Sequence, residues 1–307
     1  LSLGSYNLQK PVEAFYETVD ALLVVGSRLR SNETLSYKLH LPAKRYRIDA
    51  NPLVDGRGYD SSLFVHADAQ LALNALADRL QGRLQIDPQL AADVKRARAE
   101  AATLVDGTLG PYVRLKNGLG DAVGRPLWWV RDITLSNTMW GNRAPVLDHP
   151  RAGVHALGGG IGQGLAMAVG AAVANAEHGL ARRTVALAGD GGFMLNLGEL
   201  ACAVQEGARF VLILMNDRRY GVIRNIQDDL YGGRHCYVDL RTPDMRQLCA
   251  SLGVRHWLVG RPEDAAPALA EALAATDAQP GPAIVEIDMP GWGPFTAKFA
   301  GPPLKKD

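Results

Sequence analysis

The chain has few cysteines, and their spacing excludes two kinds of small-protein scaffold. Its 307 residues contain three, Cys202, Cys236 and Cys249, and no two of them form a C-x-x-C pair. An odd, scattered set indicates neither a disulfide framework nor a structural zinc site. Reduced thiols of this kind are typical of cytoplasmic proteins, and we expect that location.

The sequence also lacks long apolar runs and an excess of either charge. No stretch approaches the roughly 20 apolar residues that cross a bilayer, and the opening LSLGSYNLQK lacks the apolar core of a signal peptide. The formal net charge is +1, so no global electrostatic attraction to nucleic acid or to a membrane surface is expected. The chain does not begin with Met, and we interpret it as a fragment or a processed piece.

What is present is a repeated alternation of strands and helices. Runs such as TVALA and FVLILM are short and continuously apolar, as strands buried on both faces are. Helix-prone segments fill the gaps between them, which predicts an α/β fold of parallel sheets flanked by helices. We expect half of a parallel-sheet domain over 1–81, a linking helix over 82–104, and a second α/β domain over 105–307.

Two aspartates follow successive predicted strands of the second domain. Asp190 follows TVALAG, and Asp217 follows FVLILMN after one intervening helix. Because strands joined by a single crossover often lie side by side, both carboxylates are expected at one sheet edge, where two carboxylates suit Mg²⁺. Gly191 and Gly192 leave backbone N–H groups accessible at a helix start, where phosphate binds. The pattern predicts a diphosphate held through Mg²⁺, although a helix cap or turn would explain Asp190 alone.

The stretch GDGGFMLNLGELACAVQEGARFVLILMND, residues 189–217, resembles the thiamine-diphosphate motif, which begins with G-D-G and ends with N-N. Here the motif ends in Asn216 and Asp217, so an Asp that still offers a side-chain oxygen replaces the second Asn. The similarity covers nearly the whole chain. Residues 1–81 resemble the second half of the Rossmann-like central domain of acetolactate synthase and benzoylformate decarboxylase relatives, and residues 105–307 resemble their diphosphate-binding domain.

This resemblance implies a specific set of metal and diphosphate ligands. Asp190 and Asp217 would bind Mg²⁺ through their side chains and Arg219 through its backbone carbonyl. Gly191 and Gly192 would donate their N–H groups to the diphosphate.

The glycine run HALGGGIGQGLA extends the resemblance to the other end of the cofactor. By analogy with the family, the carbonyl of Gly159 would face the aminopyrimidine ring, and Ile161 would wedge beneath the cofactor and hold it bent. The run does not fit the G-x-G-x-x-G dinucleotide pattern. Close helix packing is the alternative explanation for its glycines.

The remaining candidates are less specific. Turn capping explains the polar residues of the segment RDITLSNTMWG as well as cofactor binding does, and a lone His is more often structural than catalytic. The further cofactor-binding candidates are Thr134, Ser136, Asn137 and Tyr220, and the possible substrate-pocket residues are His155, Val222 and Ile223.

The resemblance implies a thiamine-diphosphate- and Mg²⁺-dependent lyase or transferase that acts on a small 2-oxo acid or aldehyde, assembled as a homodimer or homotetramer. In this family the activating glutamate comes from an N-terminal pyrimidine-binding domain, usually of the neighbouring subunit. The contexts of Glu13, Glu17, Glu33 and Glu199 do not match that of the activating glutamate. We therefore expect the chain alone to be inactive, with that domain cleaved off or supplied by a separate subunit. FAD binding is possible but has no support in the sequence.

Several alternatives stay open at the level of sequence. A non-catalytic nucleotide-binding or regulatory α/β module would use the same kind of sheet. Within the enzyme interpretation, decarboxylase, acetolactate-type synthase and aldehyde lyase share this cofactor-binding half, so the sequence does not select the substrate.

Overall fold

The computed structural model describes residues 1–124 and 126–299. The described residues divide into two compact units, 1–104 and 105–299. Each unit has its own sheet, and every strand pairing within the two sheets is parallel. The predicted α/β class is therefore confirmed. No helix among the described residues combines the length and the apolar character needed to span a membrane.

The first unit contains a three-stranded sheet in the order β1-β2-β3. Its elements are α1 (Lys10–Glu17), β1 (Ala21–Val25), β2 (Lys44–Asp49), β3 (Leu63–His66) and α2 (Ala69–Leu80). The next helix, α3, covers Leu90–Leu109, whereas the sequence predicts a linking helix over 82–104.

The second unit contains a six-stranded sheet in the order β5-β4-β6-β7-β9-β8. Its strands are β4 (Leu127–Arg131), β5 (Gly153–His155), β6 (Arg183–Gly189), β7 (Val211–Asn216), β8 (Arg255–Val259) and β9 (Ala283–Asp288). Its helices are α4 (Val113–Val123), α5 (Gln163–Glu177), α6 (Asp190–Leu195), α7 (Glu199–Gln205), α8 (Gly221–Tyr231), α9 (Met245–Ser251), α10 (Ala265–Ala278) and α11 (Met289–Trp292).

The central strands are apolar on both faces because helices cover both faces of the sheet. All six residues of β7 are buried. Ile213 belongs to a core shared with α4 and α10, whereas Leu212 and Leu214 belong to a core shared with α5 and α7. This alternation follows from the two-residue period of a strand, which sends successive side chains to opposite faces.

Three features of the second unit differ from the sequence-based expectation. The sequence predicts four strands here, LWWVRDI, TVALAGD, FVLILMND and AIVEIDM. It does not predict the edge strands β5 and β8, because GVH is short and RHWLV is half polar. The sequence predicts a helix over 160–176, but α5 begins at Gln163, since Gly158, Gly159 and Gly162 have positive φ angles. The predicted strand TVALAGD includes Asp190, but β6 ends at Gly189 and Asp190 is the first residue of α6.

The contact between α4 and α10 generates a stability prediction. A Cβ atom added at Gly118 would lie 2.8 Å from the Cβ of Ala266 and 3.0 Å from its Cα. Gly118→Ala is therefore expected to lower the free energy of unfolding by about 1–3 kcal/mol, measured by urea denaturation. Gly120→Ala is the matched control on the same helix, because that position is exposed and open. It should raise stability by roughly 0.5–1 kcal/mol, and equal effects of the two changes would contradict this packing account.

Candidate functional site

The two predicted metal-binding aspartates lie at the same edge of the sheet. Strands β6 and β7 are parallel neighbours, and their last paired residues are Gly189 and Met215. Asp190 follows directly after β6, and Asp217 follows directly after β7. Their carboxyl groups lie within hydrogen-bonding reach of each other. The expected convergence at the carboxyl ends of neighbouring strands is present in the structure.

These two carboxyl groups form an electrostatically unfavourable pair. Asp190 is 1% exposed, and its Oδ2 has no hydrogen-bond partner among the described residues. Burial raises the pKa of Asp190 and of the half-buried Asp217, and the charge of Asp190 raises the pKa of Asp217 further. A divalent cation between them would remove both the repulsion and the unsatisfied oxygen, so this donor set fits Mg²⁺.

A third oxygen donor for a cation is available on the turn after β7. The N–H of Leu240 donates to the carbonyl of Arg218 (2.9 Å), and the N–H of Tyr220 donates to the carbonyl of Val238 (2.8 Å). The carbonyl between these anchored positions, that of Arg219, accepts no hydrogen bond from the described residues. The described residues contain no group of three or more His, Cys, Asp or Glu side chains arranged for a metal. Backbone carbonyls, waters or an anion would therefore complete the shell, as is usual for Mg²⁺.

Close packing requires glycine at both positions that follow Asp190. A Cβ at Gly191 would lie 2.5 Å from the Cε1 of Tyr220, and a Cβ at Gly192 would lie 2.7 Å from an oxygen of Asp132. Both glycines are buried at the start of α6. Their small size thus serves the packing of the site whether or not a ligand contacts their N–H groups.

The glycine loop before α5 is held by two polar side chains. Asp132, which is fully buried after β4, accepts hydrogen bonds from the N–H of Gly162 at 2.9 and 3.1 Å to its two oxygens. The side-chain amide of Asn196 donates to the carbonyl of Gly162 (2.6 Å). Gly162 has φ +91°, a backbone conformation that favours glycine. The loop is therefore clamped between the segments that follow β4 and β6.

A third side chain fastens the same loop from the helix end. The Oε1 of Gln163 accepts from the N–H of Leu157 (3.1 Å), while its Nε2 donates to the carbonyls of Leu157 (2.9 Å) and Gly160 (3.0 Å). The carbonyl of Gly159 receives no hydrogen bond from the described residues. This carbonyl is therefore available to accept a hydrogen bond from a ligand.

A cavity of about 310 Å³ joins the aspartate pair to the glycine loop. Most of the residues named from the sequence line it together: Thr134, Gly159, Ile161, Asp190, Gly191, Gly192, Asp217, Arg219, Tyr220, Val222 and Ile223. The rest of the lining is mainly apolar: Ile133, Leu135, Thr138, Gly189, Gly221, Met289 and Phe299.

Three sequence-based candidates do not line this cavity. Ser136 is fully buried, and the Oδ1 of Asn137 accepts a hydrogen bond from Arg131 (3.1 Å). Both lie where the chain enters a π-helical turn, Asn137–Gly141, which brings Thr138 to the cavity instead. His155 is exposed at the end of the edge strand β5.

Sequence analysis did not single out Asp132, Asn196 or Gln163. Asp132 could have been identified from the sequence, because it directly follows an apolar strand, as Asp190 does. No sequence pattern identifies Asn196 or Gln163, since their importance depends on which backbone groups the fold brings near them.

The second unit is similar to a known enzyme family. Residues 136–287, which include the aspartate pair and the glycine loop, match the family described as "Thiamine pyrophosphate enzyme, C-terminal TPP binding domain". This part of the chain belongs to the thiamine pyrophosphate enzyme family. The resemblance inferred from the G-D-G motif is thereby confirmed.

The relatives include decarboxylases and acetolactate synthases. The chain is 30% identical over 220 residues to a probable 2-ketoarginine decarboxylase, AruI, of Pseudomonas aeruginosa, covering 69% of this chain and 37% of that protein. It is 25% identical over 293 residues to the acetolactate synthase isozyme 1 large subunit of Escherichia coli K12, covering 94% of this chain and 50% of that protein. The chain therefore spans half or less of the length of these relatives.

A solved structure supports the fold. The thiamine diphosphate-dependent 4-hydroxybenzoylformate decarboxylase of Rhodococcus jostii RHA1 is similar with a TM-score of 0.64 at 21% identity, covering 91% of this chain and 50% of that one. At this identity the similarity establishes the α/β architecture of parallel sheets flanked by helices.

The clamp on the glycine loop leads to a second prediction. Asp132→Asn replaces an acceptor oxygen with an amino group that faces N–H donors in a buried site. The change should lower the free energy of unfolding by about 1–3 kcal/mol and accelerate amide hydrogen exchange at Gly162. Asp121→Asn, at an exposed position of α4, is the control. Unchanged exchange at Gly162 in Asp132→Asn would contradict the clamp.

Proposed function

We propose that this chain provides the diphosphate- and Mg²⁺-binding half of a thiamine-diphosphate-dependent enzyme that acts on 2-oxo acids by decarboxylation or carboligation. The observation that carries the proposal is the pair of adjacent carboxyl groups, Asp190 and Asp217, one of them with an unsatisfied buried oxygen. The pair lies inside the region that matches the thiamine pyrophosphate-binding family.

The residues of the cavity divide into a metal-binding end and a ring-binding end. At the metal end, the carboxylates of Asp190 and Asp217 and the carbonyl of Arg219 would bind Mg²⁺. The N–H groups of Gly191 and Gly192 would bind the diphosphate. When bound, thiamine diphosphate supplies an electron sink for breaking or forming a bond next to a carbonyl carbon.

At the ring end, the carbonyl of Gly159 would accept from the aminopyrimidine, and Ile161 would support the rings from below. Thr134 and Tyr220 also line the cavity, next to Gly189 and Gly191 at the metal end. The apolar side chains of Ile133 and Leu135 would limit the access of water to the reacting atoms. Exclusion of water matters because it strengthens electrostatic interactions within the site.

The part of the cavity that would contact the substrate is apolar at the start of α8. Val222 and Ile223, at the start of α8, line the cavity, whereas His155 does not. These two side chains support a 2-oxo acid with an apolar or aromatic substituent. The reaction would be that of a lyase or of an acetolactate synthase-like transferase, as in the relatives. Product analysis of the intact protein with pyruvate and with benzoylformate is the direct test of substrate class.

We further propose that the activating glutamate belongs to another domain or to a second subunit of a cytoplasmic homodimer or homotetramer. In the described lining of the cavity, the only carboxylates are those of Asp190 and Asp217, and both are assigned to the metal. The chain by itself would then bind the cofactor weakly and be catalytically inactive.

The first test of this function is calorimetric titration of the chain with thiamine diphosphate, with and without Mg²⁺. Binding should require Mg²⁺, and Asp190→Ala should weaken it by about 100-fold or more because a direct metal ligand is lost. Asp229→Ala, an exposed acid on α8, is the matched control and should bind normally. Equivalent binding of NAD or ATP, or Mg²⁺-independent binding, would favour a nucleotide-binding module instead.

A second test uses the Asp that stands at the end of the motif. Asp217→Asn keeps one side-chain oxygen for Mg²⁺ but removes the negative charge next to Asp190. In metal-free buffer at pH 8 it should raise the free energy of unfolding by about 1 kcal/mol or more, while Mg²⁺-dependent cofactor binding persists. Urea denaturation and calorimetry measure the two effects, and a less stable metal-free variant would show that the two charges do not repel.

A further inference from the structure

Three polar side chains form a buried network across the strands next to the metal-binding turn. The Nδ2 of Asn216, at the end of β7, donates to the Oε1 of Glu286 on β9 (2.7 Å). The Nε2 of His256, on the edge strand β8, lies 2.8 Å from the Oε2 of the same glutamate. The network thus runs across three neighbouring strands, from the sheet edge towards β7.

All three members of the network are withdrawn from water. Asn216 is 4% and Glu286 8% exposed, and the side chain of His256 is 5% exposed. Burial by itself raises the pKa of Glu286, but hydrogen bonds from His256 and Asn216 outweigh it and hold that pKa below its ordinary range. Glu286 is therefore ionised and acts only as an acceptor.

The ionised glutamate determines the orientation of the Asn216 amide. Because a carboxylate cannot donate, the NH₂ group of Asn216 must face Glu286, and its Oδ1 must face the opposite way. That oxygen accepts a hydrogen bond from the N–H of Arg218 (3.3 Å).

Arg218 is the pivot of the turn that carries two of the assigned metal ligands. Its φ of +56° is a left-handed conformation that a non-glycine residue adopts at an energetic cost, so surrounding contacts must hold it. The residue before it, Asp217, carries a carboxylate. The residue after it, Arg219, has a backbone carbonyl that accepts no hydrogen bond from the described residues. A rotation of the Arg218 peptide would therefore move both oxygen donors.

We propose that His256, Glu286 and Asn216 are positioning residues for the metal site, which act by fixing the amide of Asn216 and through it the turn at Arg218. The assignment rests on the proposed function insofar as Asp217 and Arg219 bind Mg²⁺. His256 would act from two strands away, without contact to the metal, the cofactor or the substrate.

The test compares two substitutions of His256 and one of Glu286 in the full chain. His256→Leu removes the donor to Glu286, whereas His256→Gln keeps an N–H donor at a similar reach. Glu286→Gln keeps the shape but adds a donor that no longer dictates the orientation of the Asn216 amide. Glu271→Gln is the matched control, because Glu271 accepts from Trp257 of the same edge strand (2.9 Å) but has no link to the turn.

Two measurements are made on each variant: amide hydrogen exchange at Arg218 without metal, and affinity for Mg²⁺ alone by calorimetry. His256→Leu and Glu286→Gln should accelerate exchange at Arg218 by about tenfold and weaken Mg²⁺ binding by about tenfold or more. His256→Gln and Glu271→Gln should stay within roughly twofold of the unmodified chain in both measurements.

The outcomes separate this assignment from the proposed function. If His256→Leu and Glu286→Gln only lower the urea midpoint and leave exchange and Mg²⁺ affinity unchanged, the network is structural and the assignment is wrong. If His256→Leu does not fold, the same two measurements on Glu286→Gln, compared with those on Glu271→Gln, decide the question. Failure of the unmodified chain to bind Mg²⁺ would overturn the proposed function and this assignment with it, whereas Mg²⁺ binding that all variants retain would overturn this assignment alone.

Discussion

Repulsion between the adjacent carboxyl groups of Asp190 and Asp217 is the constraint around which the second unit is organised. Neighbouring parallel strands bring the two side chains together, and burial increases the cost of charging either one. A fold that relied on packing alone would avoid this arrangement. It becomes favourable once a cation lies between the two groups, which is why the pair indicates function more strongly than any single residue does.

The surrounding structure limits how far these carboxyl groups can move. Gly191 and Gly192 allow α6 to pack against Tyr220 and Asp132 more closely than any side chain would permit. Asp132 in turn holds the glycine loop through the N–H of Gly162. Shared contacts therefore fix both the metal end and the ring end of the cavity. A substitution that moves residues at one end is expected to displace residues at the other end.

The sequence predicted those parts of the molecule that depend on local pattern. Continuous apolar runs gave the α/β class and the central strands, and the strand-end positions of Asp190 and Asp217 gave the core of the site. The edge strands were missed because half-exposed strands such as β8 lack a continuous apolar run. Three candidates do not line the cavity, because the π-helical turn and the end of β5 direct the chain elsewhere: Ser136, Asn137 and His155. The network of His256, Glu286 and Asn216 joins residues that are up to 70 positions apart in the sequence. Such contacts arise only from the tertiary fold.

The most direct test of the account is the position of a bound metal. Crystals grown with thiamine diphosphate and Mn²⁺, which replaces Mg²⁺ and scatters anomalously, would show where the cation lies. The account predicts one anomalous peak about 2.1 Å from carboxylate oxygens of both Asp190 and Asp217, in contact with the carbonyl of Arg219 and a diphosphate oxygen. A cofactor bound without metal between these aspartates, or a metal bound elsewhere in the chain, would contradict it.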